Sequence, residues 1–107
     1  MPDNVLDNVK NLAFELQVIR DYCCERIMIN SGYRCPSYNR SVKGVKNSQH
    51  LLGKAADIVI QNIRPTFAAN MVEDMLELEH LFPFFIGGIG RYDTFIHVDI
   101  RPTKARW

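Results

Sequence analysis

The chain has little cysteine, almost no net charge and no long hydrophobic run. Its 107 residues include three cysteines, Cys23, Cys24 and Cys35. An odd count, with two of them adjacent and no Cys-x-x-Cys spacing, excludes a complete disulfide framework, a zinc ribbon and a dithiol redox motif. They read as two small core residues and one loop thiol, with a Cys24–Cys35 bridge as the alternative. Thirteen Lys+Arg against 12 Asp+Glu leave a formal charge of +1, which argues against a general nucleic-acid binder. No stretch approaches the ~20 apolar residues of a membrane span. The greasiest, Leu81 to Ile86, is short and contains Pro83. The opening Met-Pro-Asp-Asn has neither a basic nor an apolar signal region, so no signal peptide is expected. With 47% hydrophobic residues, the sequence predicts one soluble globular domain over 1–107.

Two segments carry helical periodicity. Val5, Leu6, Val9, Leu12, Ala13, Leu16, Ile19 and Tyr22 recur at three- and four-residue steps and predict a helix over about 4–25. Pro65 opens a second helix, with Phe67, Ala68, Met71, Met75 and Leu78 expected inward and Glu73, Asp74 and Glu77 outward. Arg26–Ile29 reads as a short strand, and Pro36 can start a short helix to Val42. Residues 55–60 alternate, with Ala56, Ile58 and Ile60 on one face and Asp57 and Val59 on the other. Phe84–Ile89 and Thr94–Ile100 read as two further strands among Gly87, Gly88 and Gly90. This order predicts an α+β fold, a small mainly antiparallel sheet with two main flanking helices.

Ser48-Gln49-His50-Leu51-Leu52-Gly53-Lys54-Ala55-Ala56-Asp57 and Phe95-Ile96-His97-Val98-Asp99 each set a histidine near an aspartate at a strand. Gly53 permits a sharp turn, so a loop His50 can fold back beside Asp57 on the non-core face of the next strand. If the last strand pairs alongside, His97 supplies a third ligand. Two imidazoles and a carboxylate suit zinc, and three protein ligands leave one tetrahedral position open, as catalytic zinc sites do. Taken singly, His50 is a loop histidine and Asp57 a capped or paired carboxylate. An ionised Asp57 in an apolar strand, however, costs several kcal/mol unless paired or metal-bound. His80, at a helix end, has no such company.

Ser31-Gly32-Tyr33-Arg34, Ser48-x-His50-x-x-Gly53-x-Ala55-x-Asp57 and His97-x-Asp99 resemble successive motifs of the M15 peptidases. These are zinc D-Ala-D-Ala carboxypeptidases and L-alanyl-D-glutamate endopeptidases that cut peptidoglycan stem peptides. Gly87-Gly88-Ile89-Gly90 and Ala105-Arg106-Trp107 are similar to the compact phage-type members. The resemblance implies a hedgehog/DD-peptidase-like fold, Zn2+ bound by His50, Asp57 and His97, and Arg34 on the substrate carboxylate or oxyanion. Arg34 otherwise reads as a surface salt-bridge partner. Ser48 and Asp99 are expected to support the ligands. A phage-type member would be made in the cytoplasm and act at the cell wall. A monomer acting on a peptidoglycan stem peptide is expected, with no nucleic-acid partner and no membrane span.

One position departs from the pattern. Relatives often carry the acid/base carboxylate three residues before the last histidine ligand, where this chain has Thr94. Asp93 and Asp99 lie at even offsets from His97, which in an extended strand puts all three on one side. Asp93 is the expected acid/base, because the Tyr92-Asp93 turn leads into the strand. Thr94 also supports an alternative, a zinc-containing module of the same fold that binds without turnover. A third reading, Tyr33 and Tyr38 beside Arg34, Arg40, Lys43 and Lys46 as a nucleic-acid surface, is weakened by the overall neutrality and the acidic second helix.

Overall fold

The computed structural model describes residues 3–32, 49–78 and 85–107. Helix α1 spans Asp3–Cys23 and strand β1 Ile27–Ser31. A 3-10 turn, Gln49–Leu52, precedes β2 at Ala55–Ile60, and helix α2 follows at Pro65–Glu77. Strands β3 (Gly88–Arg91), β4 (Ile96–Asp99) and β5 (Ala105–Arg106) complete the chain. The sheet order is β1-β2-β4-β3-β5, antiparallel except for the β3–β5 pair. An α+β fold with a mainly antiparallel sheet and two helices is therefore what forms.

Local chemistry sets the element ends. Proline begins α2, where its missing N–H is no loss. Helix α1 stops at Cys23 because Cys24 turns into the left-handed region at φ 57°, its N–H still reaching the Arg20 carbonyl at 2.9 Å. Gly53 takes φ +71° between the 3-10 turn and β2, and a Cβ there would press on the Val5 backbone. The sharp turn expected of this glycine is present.

Side-chain alternation divides the sheet into two faces. On one, Ala56, Ile58 and Ile60 of β2, Ile89 of β3, and Ile96 and Val98 of β4 join Leu12, Leu16 and Ile19 of α1. Ala68, Ala69, Val72 and Met75 of α2 close the same core. The cross-strand pairs Ile58–Ile96 and Ala56–Val98 lie within it. On the other face the register aligns Asp57, His97 and Gly90 in one row, and Ala55, Asp99 and Gly88 in the next.

Several expectations need correction. Phe67 is 62% exposed and Leu78 is exposed, while Ala69 and Val72 take the inward places on α2. Phe67 lies about 100° around the helix from Ala68, so it faces away from the stripe centred on Ala68, Val72 and Met75. Cys23 is half-buried and Cys24 exposed, both as free thiols, so neither belongs to the closed core. The strand expected from Phe84 begins at Gly88, and the one expected from Thr94 begins at Ile96. Strand β5 was not foreseen. The short helix expected at Pro36–Val42, together with Arg34, Cys35, Ser48 and His80, lies outside the described residues. Among the described residues, no helix is long and apolar enough to cross a membrane.

Candidate metal centre

The β2–β4 register sets Asp57 directly opposite His97 on the face away from the core. His50 comes from the 3-10 turn, which the Gly53 bend folds back over β2. Its Nε2 lies 3.3 Å from Oδ1 of Asp57, and Nδ1 of His97 lies 3.0 Å from the same oxygen. One ligand atom from each residue falls within 4.8 Å of the other two. Both histidines are buried and Asp57 is half-buried. The two imidazoles meet edge to face, 5.2 Å between centroids.

Proton accounting shows what this arrangement requires. Nδ1 of His50 sits 2.7 Å from the Gly32 carbonyl, which can only accept, so the ring proton belongs on Nδ1. Nε2 of His97 sits 2.7 Å from Oδ2 of Asp99, so its proton belongs there. In the neutral rings, Nε2 of His50 and Nδ1 of His97 are then lone-pair acceptors facing the Asp57 carboxylate. Three acceptors at hydrogen-bond range repel unless a proton or a metal cation sits among them. These residues therefore fit a divalent metal, with each histidine oriented by a carbonyl or carboxylate behind it.

The charges around the cluster are mutually supporting. Burial opposes ionisation of Asp57, but the neighbouring His50 and His97 rings, which donate to it in their protonated forms, prevail and hold its carboxyl below the usual range. Asp99, fully buried, is likewise opposed by burial yet held below its ordinary value by His97 and Arg101. Arg101 grips Asp99 through Nε at 2.8 Å and a terminal nitrogen at 2.7 Å, with its backbone N–H at 3.2 Å. Burial disfavours the charged His97 ring, but Asp57 and Asp99 together raise its pKa above 6.5. Space for the Asp99 carboxylate exists because residue 88 is glycine, where a Cβ would run into both oxygens.

An aromatic group borders the cluster. The Trp107 indole stands 4.9 Å from the His97 ring, tilted 50°, with the Arg101 guanidinium 5.2 Å from its centroid. Its Nε1 donates to the Tyr92 hydroxyl at 2.8 Å, and Tyr92 stacks on Phe95 at 4.5 Å. Sequence reasoning missed Arg101 and the Gly32 carbonyl, and gave Trp107, Gly88 and Gly90 a place in the resemblance but no part in the site. The signal was the Asp99-x-Arg101 alternation and two glycines at the same two-residue step as His97 and Asp99.

The sequence-derived residues are placed as follows. His50, Asp57 and His97 converge, and Asp99 backs His97. Asp93 is exposed in the β3–β4 turn, which closes with the Tyr92 N–H donating to the Phe95 carbonyl at 3.2 Å. Because β4 starts at Ile96, strand alternation does not extend from His97 back to Asp93. Arg34 and Ser48 lie outside the described residues.

No curated protein matches the chain in a sequence comparison. A comparison with protein families matches residues 3–99 to Peptidase M15. That span runs from the first turn of α1 to the end of β4 and includes all three members of the cluster. The chain therefore belongs to the Peptidase M15 family of metal-dependent peptidases.

Proposed function

We propose that the chain, a single domain acting as a monomer, is a zinc peptidase that hydrolyses peptide bonds in peptidoglycan stem peptides. His50, Asp57 and His97 are its metal ligands. The observation that carries this reading is the convergence of two imidazole nitrogens on one carboxylate oxygen. Two nitrogens and one oxygen suit zinc, and three protein ligands leave room for a substrate oxygen. Bound there, zinc supplies a nucleophile active at neutral pH and a Lewis acid for the scissile carbonyl.

The protein's own residues do the rest. Gly32 and Asp99 hold the two imidazoles in the tautomers that present bare nitrogens. Arg101 keeps Asp99 ionised, so His97 retains its proton on Nε2. Asp93, at the exposed turn before β4, takes the role of general base and then of acid to the leaving amine. Arg34 offers a permanently charged fork to a substrate carboxylate or developing oxyanion.

The test is to incubate the purified protein with peptidoglycan, with and without a chelator, and identify released peptides by mass spectrometry. Chelator-sensitive release of alanine-containing products supports the reading, and a zinc-loaded protein inert on every wall type overturns it. That second outcome is the one expected of a zinc-holding module without turnover. The observation favouring that module is Thr94, exposed in the turn where relatives often carry a carboxylate.

A further inference from the structure

We infer that Trp107, with Tyr92, forms the wall that receives the alanine side chain flanking the scissile bond, an inference resting on the stem-peptide reading above. Trp107 is fixed at every point the structure describes. Its backbone N–H donates to Ile89 at 3.1 Å, and its carbonyl accepts from the Arg91 N–H at 2.7 Å. Its indole N–H is tied to Tyr92, and its ring lies against His97 and beneath Arg101. Residue 90 is glycine on the strand paired with His97, and a Cβ there would collide with the indole. The ring therefore stands on the same face as the cluster.

Despite this fixation, Trp107 is 46% exposed and Tyr92 43% exposed. An indole needed only to cover His97 would gain more by closing over it, since burial of apolar area drives packing. What the pair presents is an apolar surface beside His97, held in place by the protein's own main-chain and side-chain hydrogen bonds. The polar groups of this wall are engaged with one another. The Arg101 guanidinium is committed to Asp99, and the Tyr92 hydroxyl accepts the indole proton. The indole face accepts a methyl, whereas a carboxylate laid on it would lose water against a ring face that itself carries partial negative charge. An alanine flanks the bond cut by both peptidase types that the motifs resemble, so this subsite serves either.

The experiment uses the zinc-loaded protein and synthetic stem peptides containing L-Ala-D-Glu or D-Ala-D-Ala, each also made with the flanking alanine replaced by glycine or aspartate. Trp107 is the only tryptophan of the chain, so intrinsic emission reports this wall alone. Adding the alanine peptide should shift that emission saturably, and the aspartate analogue should not. Trp107→Leu should raise KM for the alanine peptide about five- to tenfold, the scale of one lost aromatic contact. It should leave kcat and zinc affinity within about threefold and narrow the preference for alanine over aspartate. Tyr92→Phe, which deletes only the acceptor for the indole N–H, should move KM in the same direction by less. Trp107→Leu with an unchanged preference overturns the inference while leaving the peptidase reading intact. So does a loss of zinc affinity that accounts for the whole defect. A wild-type protein that binds zinc but neither cleaves nor answers any stem peptide overturns the peptidase reading itself, and this inference with it.

Discussion

Nε2 of His97 and Oδ2 of Asp99 lie 2.7 Å apart, two residues apart on one strand, with Asp99 gripped from behind by Arg101. The pair decides which nitrogen of His97 is left bare for a metal. Asp99→Asn keeps the shape but removes the charge that holds the Nε2 proton. Zinc affinity should fall about 10–100-fold. Competition against a chromophoric chelator measures this, with circular dichroism of the metal-free variant as the control for folding.

Asp57 is the oxygen on which both imidazoles converge. In wild type, zinc at 100 times its dissociation constant should stabilise the fold by about 2.7 kcal/mol. In Asp57→Ala that gain should vanish, together with cleavage. Paired thermal melts with and without zinc show it, and an undiminished zinc response would remove Asp57 from the ligand set.

Gly88 gives the Asp99 carboxylate its room. Gly88→Ala should destabilise the protein by about 1–3 kcal/mol, as overpacking does, and weaken zinc binding by displacing Asp99. Gly32 is the comparison, since among the described residues a Cβ there meets nothing nearer than Ile29 at 3.9 Å. Gly32→Ala should therefore cost far less in the same urea titration.

Asp93 is the proposed proton carrier. Asp93→Ala should lower turnover by ~10²–10⁴ with zinc still bound. Metal content together with steady-state kinetics on a stem peptide decides it. Full activity would pass the role to another group.

Glu15 on α1 gives a pH prediction away from the cluster. Burial raises its pKa above 4.5, although the Phe85 N–H donating to it at 2.7 Å pulls the other way. A carboxyl whose folded pKa exceeds its unfolded one costs stability once ionised. That cost is absent below the unfolded value and complete above the folded one. Glu15→Gln keeps an acceptor for Phe85 and removes the charge, so the variant should gain on wild type as pH rises through this window. Urea midpoints from pH 4 to 8 test the sign.

Much of this was legible in the sequence because it is local. The alternation of residues 55–60 marks β2 at its observed ends and turns Asp57 away from Ile58. The His-x-Asp step places His97 and Asp99 on one face whatever their neighbours. The proton logic was not legible, because it depends on Gly32 meeting His50 and on Arg101 curling back onto Asp99. Nor was the Trp107 wall, because β5 is two residues long and pairs with a strand distant in sequence. Phe67 misled because large apolar residues are expected inward, whereas α2 lies against the sheet through Ala68 and Ala69.

The register that sets Asp57 opposite His97 is made by the main-chain ladder between β2 and β4, not by the side chains that would hold a metal. The protein should therefore survive being emptied, unlike small domains that collapse without their metal. A dialysed sample could be refilled with cobalt or cadmium, making the centre open to absorption and nuclear resonance spectroscopy while the surrounding scaffold stays unchanged.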